Sequence, residues 1–272
     1  MKTHKAKKSL GQNFLKSVPA LNKIIEAGEI TKDDVILEIG PGKGALTTKL
    51  LEKAGVVIAV EKDRDLLELL KEKFQKEINN GSLVLVHDDI LEFDVLPYVG
   101  LMAKYKVIAN IPYNITGAIL KKFLTEENQP KLMVLMVQNE VAKRIVAIRQ
   151  AQGKLKTKES ILSISVKAYG EPKLVMKVPA RYFSPAPKVD SAVIQIKNIS
   201  RKIFKENKIN EEKFWKIIHA GFAHKRKMLL SNLTELSARQ DLARVFEELV
   251  ISEKIRAEDL KLSDWISITK KL

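Results

Sequence analysis

The chain has 272 residues, no cysteine, and 48 Lys and Arg against 33 Asp and Glu, a net charge of +15. Without cysteine there are no disulfides and no thiolate metal sites, and no apolar run approaches the roughly 20 residues that span a bilayer. Hydrophobic residues make up 45% of the chain, enough for one large core plus a smaller unit, and the cationic surplus favours a polyanionic partner, nucleic acid or an acidic membrane surface.

Lys2, Lys5, Lys7 and Lys8 form a basic N-terminal arm. No apolar segment follows it, so it does not read as a signal peptide. Gln12-Asn13-Phe14-Leu15 comes next and says little in isolation. From about residue 18 to 140, strand-like and helix-like segments alternate. Val35–Ile39 reads as a strand, followed by the turn Glu38-Ile39-Gly40-Pro41-Gly42-Lys43-Gly44 and a helix over Ala45–Lys53. The glycines let backbone approach a ligand closely. Their spacing is G-x-G-x-G, not the dinucleotide fingerprint G-x-G-x-x-G.

Val56–Val60 is the second strand, and Glu61 stands at its end. An acid there suits the two hydroxyls of a ribose, although a surface ion pair with Lys62 or Arg64 also fits. An amphipathic helix is predicted over Asp63–Lys76. Leu83–Val86 is the third strand and leads into Asp88-Asp89-Ile90. One of these carboxylates can accept from an adenine amine, with Asp89 favoured, and Ile90 can cover the ring. The alternative is an Asp that caps a helix.

The fourth strand, Lys106–Ala109, ends in Asn110-Ile111-Pro112-Tyr113, the most informative four residues of the chain. Ligands of open α/β sheets bind at the carboxyl ends of strands. An Asn oxygen and a carbonyl held rigid by the following Pro are two acceptors, and Tyr113 adds a flat surface. Together they suit a planar exocyclic amine such as adenine N6. Leu132–Val137 is the fifth strand. Near-continuous apolar strands separated by helices indicate a parallel sheet covered on both faces.

Residues 161–170 fit either strand or helix. Residues 172–178 and 190–197 read as two strands that close the sheet with an antiparallel edge. Between them lies Phe183-Ser184-Pro185-Ala186-Pro187-Lys188-Val189, a stiff loop able to present Phe183 as a stacking surface or to bury it as core. Beyond residue 200 the composition turns to Lys, Glu and Leu. The expected organisation is an α/β domain over residues 1–199, with a mostly parallel sheet, and a small all-α domain over 200–272. Lys225-Arg226-Lys227 in the latter is a candidate phosphate-contacting cluster. His219 and His224 are not spaced as metal ligands, so no metal is expected.

In their order, Ser9–Leu15, Glu38–Gly44, Glu61, Asp89, Asn110–Ile115 and Phe183–Ser191 resemble the motifs of the ribosomal RNA adenine N6,N6-dimethyltransferases, over nearly the whole chain. Phe222–Leu229 resembles the helical-domain signature of the small-subunit branch of that family. The resemblance implies a Rossmann-like fold of the S-adenosylmethionine (SAM) methyltransferases and SAM as cofactor. It implies that Asn13, Leu15 and Gly40 hold the methionine end, Glu61 the ribose, and Asp89 with Ile90 the adenine. Asn110 would serve both cofactor and target. The target base would be held by Asn110, Ile111, Pro112 and Tyr113 and sandwiched between Tyr113 and Phe183. The implied substrate is a pair of adjacent adenosines in a hairpin loop near the 3′ end of small-subunit rRNA, met in a ribosomal subunit or late assembly intermediate in the cytoplasm; a monomer is the default expectation. A large-subunit rRNA methylase of the antibiotic-resistance type and a non-catalytic assembly factor are the alternatives. A nicotinamide-dependent dehydrogenase fails on the glycine spacing.

Overall fold

A computed structural model of the chain describes residues 6–100, 104–147 and 158–272. Lys2 and Lys5 of the basic arm lie outside the described residues. The chain divides into two compact units, one of residues 1–142 and 171–199, the other of residues 143–170 and 200–272.

Among the described residues, the first unit is built on nine strands and the helices between them. In chain order they are β1 (Phe14–Leu15), α1 (Val18–Gly28), β2 (Val35–Ile39), α2 (Ala45–Leu51), β3 (Val56–Glu61), α3 (Arg64–Lys73), α4 (Gln75–Asn79), β4 (Leu83–His87), α5 (Leu96–Val99), β5 (Tyr105–Asn110), α6 (Thr116–Thr125), β6 (Leu132–Gln138), α7 (Asn139–Val146), then, after α8 (Ile161–Tyr169), β7 (Glu171–Val178), β8 (Phe183–Ser184) and β9 (Ser191–Lys197). Seven strands form one sheet in the order β4-β3-β2-β5-β6-β9-β7. The five from β4 to β6 run parallel, and β9 pairs antiparallel with both β6 and β7. This is the mostly parallel sheet with an antiparallel edge that the strand pattern predicts. Residues of β3, β5 and β6 are buried almost without alternation, as strands covered on both faces must be.

The strand order reverses between β2 and β5, which go to opposite neighbours. That reversal opens a crevice beyond their carboxyl ends, and the loops after β2, β3, β4 and β5 meet there.

Two local readings change. The helix predicted over Asp63–Lys76 is broken into α3 and α4 at Phe74, whose φ of −114° leaves the helical range. Phe74 is buried, and a Cβ on Gly44 would come within 2.5 Å of its ring. Packing of that ring against the glycine turn outweighs the regular helix. Residues 161–169, open between strand and helix, are the helix α8. Ser160 caps it, accepting from Ser163 N while Ser163 Oγ accepts from Ser160 N.

The second unit is helical. Besides α8 it contains α9 (Lys202–Asn207), α10 (Glu211–Phe222), α11 (Leu229–Leu233), α12 (Arg239–Glu248) and α13 (Leu262–Lys271). Its core holds Phe214, Phe246 and Trp265, all fully buried. Tyr169 of α8 stacks on Trp215 with centroids 6.1 Å apart and packs on Phe204 at 5.5 Å. These rings group α8 with the helical segment rather than with the sheet, whereas a boundary placed at 199/200 leaves α8 in the first domain.

Candidate functional site

A cavity of about 500 Å³ opens at the switch point of the sheet, lined by the ends of β2 to β5 and by residues 9–16. The volume suits a nucleoside-sized ligand. Its floor is the turn after β2. Gly40, Gly42 and Gly44 all take left-handed φ values of 62°, 61° and 74°, a region costly for any other residue. A Cβ at Gly40 would meet nothing within 4 Å, so the floor there is bare backbone beside open space. Lys73 of α3 ties the turn down, donating to the Lys43 and Gly44 carbonyls at 3.0 and 3.2 Å.

Glu61 ends β3 and is only 5% exposed. Its Oε2 accepts from Gly42 N at 3.1 Å and its Oε1 from Asp63 N at 2.8 Å. Burial pushes its carboxyl up from the ordinary range, against the pull of these two N–H groups. Both oxygens keep a second acceptor site for a ligand's hydroxyls.

Glu38, at the end of β2, also lines the cavity and is 1% exposed. Its Oε2 has no hydrogen-bond partner among the described residues. Burial, reinforced by the charge of Glu61, pushes its carboxyl up to about 8. Sequence reading placed Glu38 in the glycine motif but gave it no electrostatic part. The signal was there, since an acid inside an apolar parallel strand is buried by its position.

After β4, Asp88 and Asp89 both line the cavity, with Ile90 buried beside them. Asp89 Oδ2 is paired with Lys62 Nζ at 2.5 Å, and its Oδ1 accepts from Leu91 N at 3.1 Å. The Lys62 ammonium holds the Asp89 carboxyl below its usual range. Asp88 Oδ1 is engaged by Asp89 N at 2.7 Å.

Asn110 ends β5. Its Nδ2 donates to the Asn13 carbonyl at 3.1 Å. A backbone carbonyl only accepts, so the group facing it must be the NH₂. The side-chain orientation is thereby fixed, and Oδ1 remains as an acceptor. Ile111 is buried, Pro112 is extended, and Tyr113 begins a short 3-10 turn capped by Thr116 Oγ1. The Tyr113 hydroxyl is hydrogen-bonded to Ser191 Oγ on β9. Burial pushes the Tyr113 phenol up, so it is neutral at physiological pH.

The segment from Gly11 to Leu15 closes the cavity. Strand β1 pairs antiparallel with β8, Phe14 opposite Ser184 and Leu15 opposite Phe183, and Lys16 N donates to Tyr182 O at 2.8 Å. Lys43 Nζ sits over the Phe14 ring at 4.9 Å. Asn13, Leu15 and Ser184 line the cavity. Two-residue strands carry no periodicity, so this pairing of distant motifs was not readable.

All the predicted cofactor residues, together with Asn110, Ile111, Pro112 and Tyr113, thus come to one cavity. Phe183 does not reach its wall. It is 4% exposed and packs in the hydrophobic cluster with Leu15, Leu21 and Val193, while Ser184 beside it faces the cavity. Lys225, Arg226 and Lys227 belong to the helical unit, on an exposed loop between α10 and α11. Asn232 holds that loop, donating to Gly221 O at 2.6 Å and His224 O at 3.2 Å. Among the described residues, no group of three or more His, Asp or Glu side chains is placed to hold a metal ion.

The family model described as ribosomal RNA adenine dimethylase matches residues 3–272. A protein of Dehalococcoides mccartyi named ribosomal RNA small subunit methyltransferase A is 40% identical over 265 residues, 97% of this chain and 87% of its own length. One of the same name from Fusobacterium nucleatum is 40% identical over 268 residues, 98% of this chain and 97% of its own. Among solved structures, a dimethyladenosine transferase from Plasmodium falciparum superposes with a TM-score of 0.76 at 26% identity, covering 94% of this chain and 95% of that one. The 23S rRNA methyltransferase ErmE superposes with a TM-score of 0.75 over 96% and 99%, at 23% identity, and is alike in fold.

Proposed function

Because the chain belongs to the ribosomal RNA adenine dimethylase family, we propose that the cavity at the switch point of its sheet is where an rRNA adenine N6 receives methyl groups. The protein is a SAM-dependent rRNA adenine N6,N6-dimethyltransferase that acts on small-subunit rRNA. The cavity fits SAM: its floor at Gly40 is bare backbone, and the acids Glu61 and Asp89 stand at and just after successive strand ends. Asn13, Leu15 and Gly40 hold the methionine end, Glu61 the ribose hydroxyls, and Asp89 with Ile90 the adenine. SAM supplies an electrophilic methyl group on sulfur.

The residues of the chain do the rest by positioning. Adenine N6 is a weak nucleophile because its lone pair is delocalised into the ring. Asn110 Oδ1 and the Ile111 carbonyl accept its two N–H bonds, which favours a lone pair localised on nitrogen and directed at the methyl. The observation that carries this reading is the hydrogen bond from Asn110 Nδ2 to Asn13 O, which fixes the amide with its oxygen as the acceptor. Methyl transfer from the sulfur leaves N6 as a cation, which releases one proton to water; N6 then retains a single N–H, so one acceptor still orients it for the second transfer. Tyr113 stacks on the base, and Pro112 stiffens the turn that presents it. Phe183, buried here, contributes by backing Leu15 across the β1–β8 pair; stacking by Phe183 would require its ring to leave the core.

A base can enter such a pocket only after leaving its stack, so the target is an unpaired loop, two adjacent adenosines in a hairpin near the 3′ end of the rRNA. Lys225, Arg226 and Lys227 contact phosphates, with the helical residues 200–272 as the rRNA-binding part. The substrate is a ribosomal subunit or late assembly intermediate, met in the cytoplasm by a monomer. No helix among the described residues is long and apolar enough to cross a membrane.

The test is a pair of variants. Asn110→Ala should abolish methyl transfer with the fold retained, and Glu61→Ala should weaken calorimetric SAM binding. Turnover by the first would remove the acceptor role, and unchanged affinity in the second the ribose role.

A further inference from the structure

Asp63 makes more contacts than a helix cap needs. It is 2% exposed, and its Oδ1 accepts from Asp65 N at 3.0 Å at the start of α3. Its Oδ1 also accepts from Lys7 Nζ at 2.6 Å, and its Oδ2 from Gln12 Nε2 at 2.7 Å. Lys7 Nζ reaches Asp65 as well, at 2.7 Å, and Gln12 Oε1 accepts from Lys7 N at 2.8 Å. A buried carboxylate therefore fastens residues 7–12 to the loop after β3. Its own backbone N–H holds Glu61, and the residue after Gln12 is Asn13, whose carbonyl orients Asn110.

We infer that Gln12 and Asp63 are positioning residues for Asn110: their hydrogen bond holds the Asn13 carbonyl at the point where it fixes the Asn110 amide. The inference rests on the acceptor role proposed for Asn110. Gln12 donates to Oδ2 of Asp63, whereas the cap on α3 uses Oδ1, so its replacement leaves the cap bond in place. If the bond is lost, the Asn13 carbonyl is free to shift. The Asn110 amide then loses the contact that distinguishes its oxygen from its nitrogen. Small misplacements of a group that orients a nucleophile cost far more rate than binding.

The experiment uses the full chain, SAM and unmethylated small ribosomal subunits. Gln12→Glu sets a second carboxylate against Asp63. The double variant Gln12→Glu with Asp63→Asn restores the bond with donor and acceptor exchanged, and keeps an acceptor for both the α3 cap and Lys7. Gln12→Glu should lower kcat on the order of tenfold or more at saturating SAM and subunits, and the double variant should recover most of the loss. Gln12→Ala, which adds no repulsion, should lower kcat in the same direction and serves if Gln12→Glu does not fold. Wild-type kcat in the single variants, or a double variant no better than Gln12→Glu, would overturn the inference. Asn110→Ala in parallel separates the two levels. If it still turns over, the acceptor role itself fails. If it is inactive while the Gln12 variants match wild type, only the positioning role fails.

Discussion

A carboxyl that is buried beside a second carboxyl surrenders its charge, and Glu38 is in that position. Its folded pKa of about 8 stands above the ordinary value of 4.5. Between those limits the folded chain keeps a proton that the unfolded chain releases, so this residue makes stability fall as pH rises from about 4.5 to 8. Glu38→Gln is neutral throughout. It should leave the melting temperature near pH 5 almost unchanged and raise it progressively toward pH 8, by an amount corresponding to a few kcal/mol at most. The pH slope contributed by Glu61, raised in the same direction, remains. Parallel melting curves for the two proteins across that range would contradict the assignment. At this scale the sequence was most legible where a cavity-lining residue sits at or just after a strand end, as with Glu61, Asp89 and Asn110. It was silent on Gln12 and Asp63, because a side-chain contact across 51 positions leaves no local pattern.

Among the elements, β5 carries an unexpected structural part. Lys106 begins its apolar run yet is buried, donating to the Gly28 and Glu29 carbonyls at the end of α1 at 3.0 and 2.5 Å and to Asp34 at 2.8 Å. Asp34 also takes Lys131 at 2.5 Å, and, although burial opposes its charge, these cations hold its carboxyl far below the ordinary range. Lys106→Met keeps the length of the side chain but removes one of the two cations on a buried carboxylate and the ammonium donor of two helix-end carbonyls. It should cost about 3 kcal/mol in denaturant unfolding; a loss below about 1 kcal/mol would show that Lys131 alone suffices. The parallel strands were read correctly from apolar runs because burial on both faces imposes them. The break at Phe74 and the choice of helix for 161–169 were decided by tertiary packing and by a Ser160 cap, which periodicity does not encode.

At the scale of the molecule, the helical character after residue 200 was legible from composition. That α8 joins the same unit was not, because the aromatic contacts of Tyr169 with Phe204 and Trp215 lie far away in sequence. The charge of +15 suits an RNA substrate. Reversing Lys225, Arg226 and Lys227 together should weaken subunit binding and flatten its salt dependence, the slope falling by roughly one for each lost phosphate contact; an unaltered slope would return that loop to a solvated surface. The most direct test of the central claim is transfer of radiolabelled methyl from SAM to unmethylated small ribosomal subunits, with large subunits in parallel and the modified bases mapped. Dimethyladenosine confined to small-subunit rRNA is the predicted result. Label in large-subunit rRNA, or none despite binding of both SAM and small subunits, would contradict it.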